Sequence, residues 1–541
     1  MTLRNLASFP FNNFSNTAVS DGGWYVFSGR VVEALAGDDI IIGIAGAENV
    51  GIEILGTLDA GPGDDLIFGE GSGDYGIYNF GSLNGGSGND TIHGVGTEVG
   101  IVNSGSIDTG SGADIIEGNK KQGGDEENGV GIDNLGFIIT GSGNDTIRGT
   151  GPDTGVYSQG SIDTGSGNDI IEGEARGGGN IDQEGATDLT TGIANRPGGI
   201  IQLGAGKDTI KGKGDNTGIG NFGIIDAGED NDVILGIGGI NGLGNAGIIN
   251  AGRGDDTIQG HGSKQGIVNN TIINGDDGKD VIRGEGSEFG ILNSTFGFIG
   301  NVDYLIDGGS GHDFIVGKSA LTGIGNGGLI DGAKGNDFIL GEGGREGIIN
   351  KGSINGGSGD DVITGKGGGA QGILNEGEII AGSGRDTITG VGTDGSGIFN
   401  GTLDFIVGNY LIDTGAGDDI IMGSGQVGIF NFGIIDAGDG NDIVDALNGK
   451  DQFKGHGKVY LGAGNDRLLG FGTGEFYGGS GVDRVLFSQG VYVVNGSSIT
   501  SNDASMTVNE FEKIGGSNGG IFNFSNGTLT VNANGVATFA A

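Results

Sequence analysis

An all-β solenoid is the fold class this sequence predicts. Within 541 residues, an aspartate in a glycine turn is followed two residues later by Ile, Val or Leu eighteen times. These are Asp39, Asp65, Asp90, Asp114, Asp145, Asp169, Asp208, Asp232, Asp256, Asp280, Asp313, Asp337, Asp361, Asp386, Asp419, Asp442, Asp466 and Asp483. Eight of the seventeen intervals are 24 residues and three more are 23 or 25. Such a period marks stacked coils. Gly supplies 131 residues and Pro only 4, which excludes collagen. The expected architecture is a single parallel β-helix or β-roll with about 24 residues per turn and one metal-binding edge.

Three regions follow along the chain. Residues 1–30 precede the repeats and read as an N-terminal cap or assembly strand. Residues 31–483 hold the repeats. Measured from each motif aspartate, apolar residues recur thirteen before, seven before and two after, as in Ile77, Leu83 and Ile92, then Ile101, Ile107 and Ile116. Three short extended segments per lap, rich in Ile and Val, suit strands that bury each column against its own copies. Glycine every few residues disfavours helix, at about 1 kcal/mol each relative to Ala. Stacked laps at strand spacing predict a rod of roughly 80 Å. Residues 484–541 alternate like strands and read as a C-terminal β-cap.

A second ladder lies eleven residues before the aspartates: Asn79, Asn103, Asn134, Asn221, Asn245, Asn269, Asn326, Asn350, Asn375 and Asn431. Asn tolerates a left-handed turn and can bond to its copy in the next lap, which is a structural role. Four intervals are long. Residues 119–130 and 174–191 fall after the last glycine of a lap and are expected as polar surface loops. Residues 293–307 and 400–413 insert after the Asn corner and carry aromatics, expected to pack on the solenoid or form a contact surface.

The turn chemistry points to a hard cation. Glycine allows positive φ, aspartate offers anionic oxygen, and the following Ile anchors the strand. Carboxylates stacked about 5 Å apart repel unless a cation lies between them. Residues 85–93, GGSGNDTIH, match the nonapeptide G-G-x-G-x-D-x-U-x at every defined position, and shorter cores recur as GSGADII (110–116), GSGNDTI (141–147) and GAGDDII (415–421). In these motifs the chain resembles RTX, or hemolysin-type, calcium-binding repeat proteins. The resemblance implies Ca²⁺ between consecutive laps, held by the eighteen aspartates with carbonyls of turn glycines such as Gly86, Gly88, Gly110, Gly112, Gly141, Gly143, Gly165, Gly167, Gly415 and Gly417. Filling seventeen gaps would bring the net charge of −44 to about −10. Standard RTX laps are shorter and carry two motifs; here one motif per lap predicts one ion row. The remaining GIxNxGxI resembles the β-helix repeat of filamentous haemagglutinins. Some turns are degenerate: Asp230 before Asp232, Asp276 before Asp280, Ala333 before Asp337, and Ala446 after Asp442. Weaker sites are expected there.

Composition narrows the function. A net charge of −44 argues against nucleic acid or anionic membrane as partner and favours cations. There is no Cys, hence no disulfide. The N-terminus lacks the apolar run of a cleavable signal peptide, and no stretch reaches the length of a transmembrane helix. The C-terminal region resembles the tail of RTX proteins that carries an uncleaved type I secretion signal. Expected, then, is a secreted structural protein that folds on calcium outside the cell. It would assemble with itself, through its ends or laterally, into a fibre, sheath or surface layer like the fibrillar surface proteins of cyanobacteria. The alternatives are an RTX-type adhesin or toxin-like protein, with cell-surface polysaccharide among its partners, and a β-helix polysaccharide-modifying enzyme. The histidines His93, His261, His312 and His456 form no catalytic constellation, so no enzyme activity is expected.

Overall fold

The computed structural model describes residues 4–46, 50–121, 129–177, 190–294, 304–404, 408–502 and 504–541. The chain divides into two compact units, Met1–Asp277 and Gly278–Ala541, each a parallel β-solenoid. Together they hold about 18 turns of about 24 residues. Among the described residues the only helix is one 3₁₀ turn, Leu6–Ser8, and no helix is long and apolar enough to cross a membrane.

Residues 82–103 show how a lap is made. Strand Ser82–Ser87 enters the glycine turn, Thr91–Gly96 leaves it after Asp90, and Val99–Asn103 runs to a corner before Ser106–Ser111 opens the next lap. Alternation turns Leu83, Ile92 and Ile101 inward, where none has exposed surface. Each stacks in register on its copy: Leu83 on Ile107, Ile92 on Ile116, Ile77 on Ile101. These are the three columns the spacing predicts. Burying each Ile contributes about 1.5–3 kcal/mol, and a one-residue slip would turn a whole column outward.

Glycine also sets the cross-section. A Cβ on Gly94 would lie 2.3 Å from the Gly100 carbonyl oxygen, and one on Gly100 would lie 2.2 Å from the Asn119 nitrogen. The strand after the aspartate and the strand before the Asn corner therefore meet backbone to backbone. Where Ala446 replaces this glycine, the strand shortens to Ile443–Asp445.

The Asn corner is a buried ladder. In the first unit Asn79 Nδ2 donates to Asn103 Oδ1 at 2.8 Å, Asn103 to Asn134 at 2.8 Å, and Asn221 to Asn245 at 2.8 Å. In the second, Asn326 bonds to Asn350 at 2.8 Å and Asn350 to Asn375 at 2.9 Å. Asn195, Asn293 and Asn400, in laps with irregular spacing, belong to it too. Ser158 takes the place of Asn in one lap, accepting from Asn134 at 3.2 Å.

Most of the expected loops at 119–130 and 174–191 lies outside the described residues, as do 295–303 and 405–407 of the aromatic insertions. Both insertions do leave directly after an Asn corner, since strands end at Asn293 and Asn400 and resume at Leu305 and Leu411. Beside the second insertion, Leu374, Phe399 and Phe432 form a buried cluster, with Ile349 and Phe430 packed against it.

The N-terminal end of the first unit and the C-terminal end of the second differ. In the first unit Leu6 is fully buried and Phe9 packs edge-on against Trp24 at 6.5 Å. In the second, parallel stacking continues past Asp483: Arg484–Phe487 pairs with Lys513–Gly516, and Glu475–Tyr477 with residues 507–509. Beyond that the strands turn antiparallel, Lys513–Gly516 with Gly519–Asn523 and Gly527–Val531 with Ala537–Ala540. The segment 520–531, which echoes an Asn corner in sequence, is thus not a further lap.

Candidate metal centre

The glycine turn is defined by two left-handed positions. Four residues before each aspartate the backbone φ is positive, from 84° at Gly165 and Gly415 to 118° at Gly86 among the glycines. Two residues before, it is positive again, as at Gly88 (126°), Gly112 (135°), Gly143 (135°), Gly167 (138°) and Gly417 (155°). The degenerate turns keep the conformation without glycine: Ala333 at 67°, Asp276 at 71°, Asp230 at 77°, and Leu35, which the sequence reading passed over, at 78°. Stacking adds a second demand. A Cβ on Gly112 would sit 1.7 Å from the Gly88 carbonyl oxygen, and one on Gly110 would sit 1.9 Å from that of Gly86. Each turn therefore aims carbonyls at the next.

Inside the turn lies the aspartate, at most 3 % exposed at all eighteen positions. Its Oδ1 accepts the backbone N–H of the aspartate one lap earlier. In the first unit, from Asp39 to Asp256, these bonds are 2.6–2.8 Å long. In the second, from Asp280 to Asp483, they are 2.7–2.9 Å. The other oxygen, Oδ2, is buried without a hydrogen-bond partner at sixteen motif aspartates, from Asp39 to Asp232 and from Asp313 to Asp483. A glycine Cβ would intrude on it: 2.6 Å at Gly85 beside Asp90, 2.7 Å at Gly308 beside Asp313 and 2.8 Å at Gly356 beside Asp361.

A buried, unpaired carboxylate oxygen is costly, and the acidities record it. Burial first, then repulsion from neighbouring carboxylates, pushes Asp232 up to about 8 and Asp90 to about 7. The same causes take Asp169, Asp337, Asp386 and Asp442 to about 7. Among the described residues no three His, Asp or Glu side chains converge on one point, so a cation at this edge must draw on main-chain carbonyls as well. Hard oxygens, a buried negative column and inward carbonyls fit calcium, which takes 6–8 such ligands in flexible geometry.

Where the residue before the aspartate position is Ser, Asp, Asn or His, it joins an outer ladder of opposite polarity, in which the later lap donates. Asp64 N–H bonds to Asp38 Oδ1 at 3.0 Å, Asn89 to Asp64 at 2.7 Å, Asn336 to His312 Nδ1 at 2.7 Å and Arg385 to Asp360 at 2.9 Å. Two residues outside the motif list continue the aspartate column. Asn16 N–H donates to Asp39 at 2.5 Å, and Asp483 N–H donates to Glu512 Oε2 at 2.8 Å. Register aligns them with the motif, since Ala18 pairs with Ile41 and Ile514 with Val485. The signal was present as Asn-x-Ala and Glu-x-Ile, the motif with its acid exchanged. Three histidines have other tasks: His93 edges onto Phe68, His456 onto Phe432, and His312 serves the outer ladder.

The family model for the RTX calcium-binding nonapeptide repeat (4 copies) matches residues 137–151, 161–175, 241–263, 353–369 and 434–457. These segments lie in both units and include the turns or strands that carry Asp145, Asp169, Asp256, Asp361 and Asp442. No curated protein matches the chain.

Proposed function

Because this chain is an RTX, or hemolysin-type, calcium-binding repeat protein, we propose that it is a secreted structural protein whose laps close on a row of Ca²⁺ outside the cell. The observation that carries the reading is the column of buried aspartates whose Oδ2 atoms lack protein partners. The eighteen motif aspartates would hold the ions, together with carbonyls of the turn glycines, among them Gly86, Gly88, Gly110, Gly112, Gly141, Gly143, Gly165, Gly167, Gly415 and Gly417. Bound calcium supplies the positive charge that lets these carboxylates stay ionised while buried. The chain does the rest: glycines admit the left-handed turns, Oδ1 locks each lap to the one before, and the Ile columns bury behind them. At the low calcium of a cytosol the column repels itself, which keeps the chain unfolded for export, by a type I route in this reading. Millimolar calcium outside favours the fold by mass action.

Self-assembly into a fibre, sheath or surface layer completes the proposal. Strands Thr17–Ser20 and Val31–Glu33 each pair on one side only among the described residues, and Phe14, Val19 and Val31 are exposed beside them. Open edges of this kind accept another chain. An adhesin is the second reading, favoured by the half-exposed aromatics Phe27, Phe80, Phe137 and Phe222 near the Asn corner of the first unit. Their faces suit stacking against surface polysaccharide.

Negative-stain microscopy with calcium and with chelator, read beside far-ultraviolet circular dichroism, tests the proposal. Strand signal and ordered assemblies that appear with calcium and vanish with chelator are expected. A spectrum indifferent to chelation would end the calcium reading. Folded, persistent monomers in calcium that bind polysaccharide would replace assembly by adhesion.

A further inference from the structure

At the N-terminal end of the first unit, the turn 12–16 occupies the place of a motif turn but has neither its glycines nor its acid. Ser15 plays the outer-ladder role, accepting Asp38 N–H at 3.1 Å, and Asn16 holds the aspartate position. The Asn16 side chain, 7 % exposed, turns into its own loop. There Nδ2 is surrounded by oxygens: the carbonyls of Phe14 at 2.5 Å, Asn12 at 3.0 Å and Ala34 at 3.4 Å, and Asp39 Oδ1 at 2.7 Å. Its Oδ1 is used separately, accepting from Asn12 Nδ2 at 2.8 Å. A neutral donor thus sits among two carbonyls of one lap, a carbonyl of the next and the next carboxylate.

The C-terminal end of the second unit is finished differently. Asp483 has no exposed surface and its Oδ2 is buried without a partner, while Glu512 stands one lap on at the aspartate position. Glu510, two residues before Glu512, has φ 61°, the left-handed conformation of the second motif glycine. The turn before Glu512 therefore keeps the second left-handed position of a motif turn but not the first, since Val508 lies in a strand, and its acid is exposed and one methylene longer.

We propose that Asn16 is a built-in substitute for a metal ion, so that the turn 12–16 takes none, and that Glu512 is an additional metal ligand completing the site at Asp483. This rests on the calcium reading above and specifies where the ion row stops. The Asn16 amide fills the turn 12–16 and binds Asp39 Oδ1, with no dependence on the medium, while Asp39 Oδ2 keeps no protein partner and faces the ion of its own turn. The turn 12–16 is thereby held by protein donors alone, whereas the closing turn of the second unit depends on calcium.

Crystals of the full chain grown with Tb³⁺ in place of Ca²⁺ locate the ions by anomalous scattering, in the wild type, Asn16→Asp and Glu512→Gln. In the wild type, peaks are expected at the motif turns and between Asp483 and Glu512, with none in the turn 12–16. Asn16→Asp should add one peak there, and Glu512→Gln should remove or strongly weaken the one beside Asp483. A wild-type peak in the turn 12–16 overturns the role of Asn16 without any variant. A folded Asn16→Asp protein with no new peak does the same, and an unchanged Asp483 peak in Glu512→Gln overturns that of Glu512. Absence of peaks at every motif turn would instead remove the calcium reading itself.

Discussion

Asp169 and Asp208 are 39 residues apart in sequence, yet the Asp169 backbone N–H reaches the Asp208 carboxylate at 2.7 Å. Asp466 and Asp483 are 17 residues apart and make the same bond at 2.9 Å. Intervals that vary more than twofold leave the edge unaltered, so the stacking is specified at the turn. What a lap carries elsewhere is free to change.

Acidity should govern the calcium-free chain. Burial raises the folded-state pKa of the motif aspartates from 3.8 to about 6 at Asp65 and Asp313, about 7 at Asp90 and about 8 at Asp232. The folded state then binds protons more tightly than the unfolded one. The linked stability is fully present below about pH 4 and is lost as pH rises through the window 6–8. In chelator, the strand signal lost at pH 8 should return toward pH 5, read by circular dichroism. A signal that stays absent or weakens over this range would contradict the protonation of the column.

Replacing Asp232 by Asn should act with opposite sign in the two media. The Asn Oδ1 can still accept the Asp208 N–H, a 2.8 Å bond in the wild type, but the buried charge is gone. In chelator at pH 8 the variant should gain on the order of 1–3 kcal/mol. In saturating calcium it should be less stable than the wild type, because one anionic ligand is lost. Strand signal by circular dichroism in chelator and the urea midpoint in calcium read the crossing.

At Ala333 the chain holds an L-residue at φ 67° where neighbouring laps use glycine at 96° and 106°, namely Gly309 and Gly357. Ala333→Gly relieves this and should stabilise the protein by about 1 kcal/mol. A shift in the urea midpoint at constant slope would register it. Leu35→Gly should follow the same direction.

The Asn ladder is expected to be expensive to break. Asn350 accepts from Asn326 and donates to Asn375 at 2.9 Å and to the Glu378 carbonyl at 2.7 Å. Asn350→Ala leaves buried groups unpaired and should cost about 2–3 kcal/mol. Asn350→Ser should cost less, since Ser158 already fills this place in another lap.

Legibility in the sequence followed how narrowly each position is specified. Carboxylate, buried branched aliphatic and corner Asn each repeat with few exchanges because few groups do the job, so period and register could be read directly. The outer ladder was invisible because Ser15, Asp38, Asn89 and His312 all provide an acceptor of the right reach. Leu35 hid a turn that demands positive φ, and Asn16 and Glu512 hid the ends of the column by exchanging its acid. The outlines of the lap were therefore plain, and its terminations were not.

The two ladders at the glycine turn point in opposite directions along the stack. At the aspartate the earlier lap gives the proton, and one residue before it the later lap gives it. A lap with an acceptor before its aspartate consequently offers the same pair of donors and acceptors above and below, while Ala113, Lys207 and Arg385 leave the aspartate bond alone to join the next lap. A gene that copied or dropped one such segment within either unit would produce a chain whose joints are already correct. The number of laps is thus a quantity that inheritance can vary in whole steps, with no compensating change at the seam.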